Sequence, residues 1–183
     1  MGINSMCILR AFSFVLIFLS SIALGDANKQ LCLADVQTKE YVNGKVIYGI
    51  NLKALNYFLA RISQHVFNYP PTFKDKKEEA FIRSQLKSLL DMQKKAYVNI
   101  KNDINLVGRY AYTLSMAYNL DMLRSRSEVT SVFEQALSIN QNSSKVNYLY
   151  GIFLYQSGSP DNAVPHLEKA IKESLISHKE RLD

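Results

Sequence analysis

The sequence contains few residues with the chemistry to take part in catalysis. Its 183 residues include three histidines and two cysteines. None of these lies in a recognised zinc helix, serine elbow or set of cysteines with zinc spacing. Cys32 and His65 could act as a nucleophile and its base, but no feature of the sequence brings them together. His65, beside Val66, is typical of a structural histidine, and His166 and His178 are expected at the surface.

The amino terminus has the pattern of a secretory signal. Residues 1–10 carry one positive charge, and residues 11–24 form an apolar run interrupted only by serines. The run is shorter than the roughly 20 residues that a membrane-spanning helix needs, and it ends in small residues. We therefore expect residues 1–25 to be a signal peptide, cleaved near residues 23–25, on a periplasmic or secreted protein with no stable membrane insertion.

The charge pattern and the cysteine count limit the kinds of partner and of covalent bond expected for the chain after signal cleavage. The formal net charge is +6, but the lysines are interspersed with glutamates and aspartates rather than gathered in one block. This pattern is typical of a solvated surface, so a nucleic-acid partner is not expected. Cys32 would be the only cysteine left after signal cleavage, which excludes an internal disulfide. No cofactor or metal site is indicated.

Residues 26–50 are predicted to be a short extended segment with one hairpin. Asn43-Gly44 separates two runs of β-branched and aromatic residues, the usual pattern of a two-residue hairpin turn. Two strands alone are marginally stable in water. Such a hairpin either covers the helices or offers a strand edge to a partner.

From residue 51 onward the apolar residues recur at helical spacing. Residues 51–103 are predicted to be a lead-in pair of helices, and residues 104–175 four shorter helices whose short links make neighbours antiparallel. Residues 176–183 are predicted to be a C-terminal tail. The predicted helices are 51–66, 75–100, 104–120, 128–139, 144–156 and 160–173. The fold class is all-α, with a small N-terminal β-hairpin.

A repeat occurs within the last four helices. Overlaying the sequence on itself with a shift of 34 residues matches small residues with small ones and large apolar residues with large ones. A small residue lets two helices approach closely, and a large one fills the space beside it. The residues predicted to pack the repeats are Ala117, Leu120, Phe133, Ala136, Gly151, Leu154, Ala163, Leu167 and Ala170.

The second copy resembles the tetratricopeptide repeat (TPR), through Tyr150-Gly151-Ile152-Phe153-Leu154, Gly158, Ala163, Leu167 and Ala170-Ile171. The first copy departs from the pattern, with Val129 at the position of Ala163 and Arg124 at that of Gly158. Tyr69-Pro70-Pro71-Thr72-Phe73, with the charged helix after it, also resembles the lead-in of some exported bacterial proteins that contain such repeats. The resemblance implies antiparallel helical hairpins stacked as a short solenoid, with the lead-in helices supplying a further layer.

In tetratricopeptide proteins the first helix of each hairpin lines a groove that binds a peptide or protein. The resemblance places Leu114, Tyr118, Asp121, Lys145, Tyr148, Ile152 and Tyr155 in that groove. The alternative is that the tyrosines pack in the core. We therefore expect an exported adaptor or assembly factor without enzymatic activity; the alternative is a small secreted hydrolase that uses Cys32 or a histidine.

Overall fold

The computed structural model describes residues 33–179 and begins with a short 3-10 turn, Leu33–Asp35, and a β-hairpin. Strands β1 (Gln37–Val42) and β2 (Lys45–Ile50) pair antiparallel, with Val42 opposite Lys45. Asn43 and Gly44 both have positive φ, 50° and 74°. This is the backbone of a type I′ turn, so the predicted Asn-Gly hairpin is confirmed.

The chain divides into two compact units, at Arg61 and Ile62. The described part of the first unit holds the hairpin and the beginning of helix α1 (Leu52–Val66). In this unit the amide of Asn51 donates to the carbonyl of Val36 at 2.8 Å, which fixes the end of β2 and the start of α1.

The second unit contains the end of α1 and five further helices. These are α2 (Lys76–Ile100), α3 (Ile104–Asn119), α4 (Arg126–Ile139), α5 (Ser144–Gln156) and α6 (Pro160–Lys179). Side-chain oxygens of Asp75, Asp103 and Ser143 accept hydrogen bonds from the first free amides of α2, α3 and α5, which sets where these helices begin. The described chain is therefore mostly helical with a small antiparallel sheet.

Helices α3 to α6 pack in chain order. Helix α3 pairs with α4 and α5 with α6, while α4 contacts α5, α3 contacts α5, and α2 packs on α3. The predicted repeat-packing residues lie inside this stack: eight are buried, and Leu167 is half-buried against the core. A Cβ built on Gly151 would lie 2.7 Å from Leu167 and 3.2 Å from the carbonyl of Ala163. Gly151 therefore permits the close approach of α5 and α6 that its small size predicts.

One predicted boundary and one predicted turn residue are wrong. The last helix continues through Pro165 to Lys179, so the segment predicted as a tail from residue 176 begins as helix. Helix α3 ends at Asn119, within one residue of its predicted end. The turn after it comes earlier than the repeat overlay implies, because Asp121, rather than Arg124, has the positive φ, 55°, that Gly158 has after α5.

The first helix of each hairpin, α3 or α5, ends in the same kind of hydrogen-bonded turn. After α3, the amide of Met122 donates to the carbonyl of Ala117; after α5, the amide of Ser159 donates to that of Leu154. Each turn is a Schellman motif, which needs one left-handed residue just beyond the helix. When the two hairpins are aligned on these turns, their helices differ in length. An overlay of the sequence on itself at a fixed shift of 34 residues hides this difference.

Candidate functional site

One exposed stripe on α5 carries most of the predicted groove residues. Tyr148 and Tyr155 are 47% and 64% exposed, and Ile152 between them is half-buried. These three residues follow the i, i+4, i+7 spacing of one helix face, and Lys145 precedes them by one turn. The structure thus brings together the α5 half of the predicted site. We call Lys145, Tyr148, Ile152 and Tyr155 the tyrosine face.

The α3 half of the predicted groove is different. Leu114 is only 2% exposed and lies in the core cluster, so its assignment to an accessible groove is wrong. Tyr118 is half-buried, with its ring edge-on to that of Phe153 at 5.5 Å. The cause is the central position of α3 between α2, α4 and α5, which buries ten of its 16 residues.

Asp121 also differs from its predicted role. It lies beyond the last residue of α3 and occupies the left-handed position of the helix-terminating turn. Its carboxylate is exposed, but its position follows from the turn and not from a helix face. The alternative that the tyrosines pack in the core is wrong for Tyr148 and Tyr155, which lie at the surface, while Tyr118 is half-buried.

A basic pair lies at the Lys145 end of the tyrosine face. Burial lowers the pKa of Lys145, and the positive charge of Arg109 lowers it further. Burial likewise lowers the pKa of Arg109, opposed by the carboxylate of Asp103. The guanidinium of Arg109 donates to the carbonyl of Asn105 at 2.6 Å. Lys145 is exposed and lies near enough to Arg109 for the two charges to interact, so this end of the face is positively charged.

Tyr112, on α3, lies near Tyr148 of the tyrosine face. Burial raises its pKa; a hydrogen bond with Ser63 lowers it, and the neighbouring Tyr148 raises it. Its ring meets that of Phe67 at 6.1 Å, edge to face. Sequence reasoning missed Arg109 and Tyr112, because neither coincides with an α3 position that the repeat overlay assigns to the groove.

Asn119 was also missed and fixes the end of α3. It is buried, and its amide nitrogen lies 3.1 Å from the carbonyl of Val66, 3.2 Å from that of Phe67 and 3.1 Å from Oε1 of Gln156. One side chain thus ties the ends of α1, α3 and α5 together. Gln156 directly follows Tyr155, so this contact also positions the end of the tyrosine face.

A second candidate site is a polar cleft between α4, α5 and α6, with a volume of about 700 Å³. Most of its lining is polar or charged. The lining residues are Arg126, Ser127, Thr130, Glu134, Tyr150, Leu154, Asn162, Pro165 and His166.

His166 is held in this cleft rather than free at the surface, so its predicted surface position is wrong. The amide nitrogen of Asn147 donates to two backbone carbonyls, which leaves Oδ1 of Asn147 as the acceptor for Nδ1–H of His166 at 2.9 Å. The imidazole packs on the Tyr150 ring at 4.5 Å. Its pKa is lowered by burial first and by the charge of Lys169 second, and raised by Glu134. Neutral His166 therefore carries its lone pair on Nε2.

The hydroxyl groups of Tyr150 and Thr130 in the cleft donate hydrogen bonds to groups other than this imidazole. Tyr150 donates to Glu134 at 3.3 Å, and burial followed by the charge of Glu134 raises the pKa of Tyr150 to about 12. Thr130 donates to the carbonyl of Ser127 at 3.0 Å. Among the described residues, no hydroxyl is hydrogen-bonded to His166. The cleft thus has the groups to bind a polar ligand but no nucleophile paired with a base.

The two remaining histidines lie where the sequence predicts. Nδ1 of His65 is 3.3 Å from the carbonyl of Thr72 and 3.7 Å from the carboxylate of Glu78, and its ring stacks on Phe73. His65 is a structural residue, as predicted, and His178 is exposed. Cys32 and the predicted signal peptide lie outside the described residues.

Residues 33–179 show neither a metal-binding cluster nor a membrane-spanning helix. Within this range no group of three or more histidine, cysteine or acidic side chains is arranged to hold a metal ion. None of the helices that the structure describes is both long enough and apolar enough to span a membrane. Comparison of the chain with protein-family models, with curated proteins and with solved structures gives no significant match.

Proposed function

We propose that this protein is an exported, periplasmic interaction module of the tetratricopeptide type, acting as an adaptor or assembly factor. The proposed bound species is a segment of another protein, lying on the tyrosine face. The observation that carries this proposal is the exposed stripe of Tyr148, Ile152 and Tyr155 on a helix whose opposite face is packed in the core.

The chemistry of the face supports this function. Tyrosines provide apolar area together with a hydroxyl group, and they lose little conformational entropy on binding. The exposed ammonium group of Lys145, with the positive charge of Arg109 nearby, would attract a carboxylate. The partner segment should therefore present apolar side chains to the tyrosines and an acidic group to Lys145.

The helix arrangement supports the assignment to the tetratricopeptide type. Two successive antiparallel hairpins, each with a helix-terminating turn of the same kind after its first helix, are what such repeats require. The turns after α3 and α5 are 37 positions apart, whereas the small residues Ala117 and Gly151 are 34 apart. Helix α2, packed on α3, is the proposed additional layer. The rival function, a small hydrolase, has less support because His166 is bonded to Asn147 and not to a nucleophile.

The test compares two pairs of exposed aromatic residues. Tyr148→Ala with Tyr155→Ala should leave helical content and melting temperature nearly unchanged, and should weaken capture of a partner from envelope extract by about 30-fold or more. Tyr69→Ala with Phe81→Ala removes similarly exposed rings elsewhere in the second unit and should retain the partner. Equal partner capture by both double variants, or unfolding of the first, would contradict the proposal.

A further inference from the structure

The polar cleft between α4, α5 and α6 is lined by two unpaired charges of opposite sign. Arg126 is the first residue of α4, and Glu134 lies about two turns further along the same helix. Neither belongs to an ion pair among the described residues. Nε of Arg126 is buried and has no hydrogen-bond partner within residues 33–179. Because a buried donor without an acceptor is costly, this end of the cleft suits an anionic group.

The Glu134 side of the cleft presents hydrogen-bond acceptors. Tyr150 donates to one carboxylate oxygen of Glu134 at 3.3 Å, which leaves the other oxygen free. Nδ1–H of His166 is bonded to Asn147, and no described group is hydrogen-bonded to Nε2. Burial and Lys169, which does not line the cleft, lower the pKa of His166, and the nearby charge of Glu134 raises it. A free carboxylate oxygen and a nearby imidazole lone pair together suit a protonated amine.

The acceptor groups are held in place by their neighbours. The ring of Tyr150, which is 5% exposed, packs on Phe133 at 4.9 Å and on His166 at 4.5 Å. Asn147 is buried, and its amide nitrogen donates to two backbone carbonyls at 2.9 and 3.0 Å, so its oxygen fixes the imidazole. Groups that are ordered beforehand bind a ligand without the entropic cost of ordering them.

The volume of the cleft and the spacing of its charges limit the ligand. A volume of about 700 Å³ is within the range of small-molecule sites. Arg126 and Glu134 are eight positions apart, which is roughly 12 Å along a helix axis. An extended peptide of three residues spans roughly 10 Å, whereas a single amino acid carries both charges on one carbon. Leu154 and Pro165 add apolar surface to the lining. A short peptide therefore matches the cleft better than an amino acid does.

We propose that this cleft binds a short peptide, of about three residues, with both of its ends free. The terminal carboxylate of the peptide pairs with Arg126, and its terminal ammonium group donates to Glu134 and to Nε2 of His166. The opposite charges at the two sides of the cleft set the direction of the peptide. The cleft shares no residue with the tyrosine face, so this site is separate from the proposed partner binding.

Isothermal titration calorimetry with trialanine tests the site. Trialanine should bind the wild type, and N-acetyl-trialanine and trialanine amide should each bind about tenfold or more weakly, because each lacks one charged end. Alanine has both charges without the length and should also bind more weakly than trialanine. No binding of trialanine, or equal affinity for free and blocked peptides, would overturn the proposal. Alanine that binds as tightly as trialanine would overturn the assignment of a peptide as the ligand.

Two variants test which residue binds which end of the peptide. Arg126→Gln should bind trialanine and its amide equally, and Glu134→Gln, which keeps an acceptor for Tyr150, should bind trialanine and its N-acetyl form equally. Arg124→Gln and Glu128→Gln remove the same charges at exposed positions outside the cleft lining and should keep both wild-type preferences. Circular dichroism checks that each variant keeps its helices. A preference for the free carboxylate that survives in Arg126→Gln, or for the free amine in Glu134→Gln, would contradict this arrangement.

Discussion

Gly151 shows how one residue sets the distance between two helices. Its missing side chain lets α5 approach Leu167 and the carbonyl of Ala163 on α6. We expect Gly151→Ala to lower the free energy of unfolding by about 1–3 kcal/mol, since the new methyl group overpacks the contact. Gly108→Ala is the control: its Cβ would lie 3.1 Å from a movable methyl group of Val146, and it should change stability by less than about 1 kcal/mol.

Urea denaturation of the two variants beside the wild type measures these differences. Equal stability of Gly151→Ala and the wild type would mean that the two helices can separate at no cost. In that case the close contact would not define the packing of the second hairpin.

His166 makes stability depend on pH in a defined direction. Its folded-state pKa is lowered, mainly by burial, so its contribution is complete above the unfolded value of about 6.5 and is lost as pH falls through the folded value. The free energy of unfolding should therefore fall as the pH drops below about 6.5, and less steeply in His166→Gln. His178→Gln, at an exposed site, should keep the wild-type slope; a slope unchanged in His166→Gln would contradict the assignment.

The turns that end α3 and α5 both need a residue in the left-handed conformation, and they use different residues for it. Gly158 adopts φ 82° without strain, whereas Asp121 adopts φ 55° with a Cβ present. Asp121→Gly should therefore stabilise the protein by about 0.5–1 kcal/mol, and Gly158→Ala should destabilise it by about 1 kcal/mol. Thermal melting measures both, and changes of the same sign would show that the two turns are not equivalent.

The sequence predicted the helices well because each has its own start and stop residues. Asp103 and Ser143 cap α3 and α5, and Asn43-Gly44 forces the hairpin turn. The exposure of α3 could not be predicted in the same way. Leu114 is buried because α2 and α5 both pack on α3. The spacing of apolar residues within one helix does not show which other helices pack against it.

The candidate site was predicted only on α5. Tyr148, Ile152 and Tyr155 share one face by spacing alone, and the structure leaves that face open. The bond between Asn147 and His166 joins residues 19 positions apart on different helices, and no sequence pattern marks such a pair. Arg109 was missed for a similar reason, since its closeness to Lys145 depends on how α3 and α5 align.

For the whole molecule, the proposed function depends on one surface. The tyrosine face lies on α5, with Lys145 and the neighbouring charge of Arg109 at one end.

Site-specific photo-crosslinking in the native host tests the central claim, that the tyrosine face binds another protein. A photoreactive phenylalanine analogue replaces Tyr155 in one variant and Phe81 in another, both exposed positions on helices of the second unit. The account predicts a discrete covalent adduct with one other protein from position 155 and none from position 81. No adduct from position 155, or the same adduct from both positions, would contradict it.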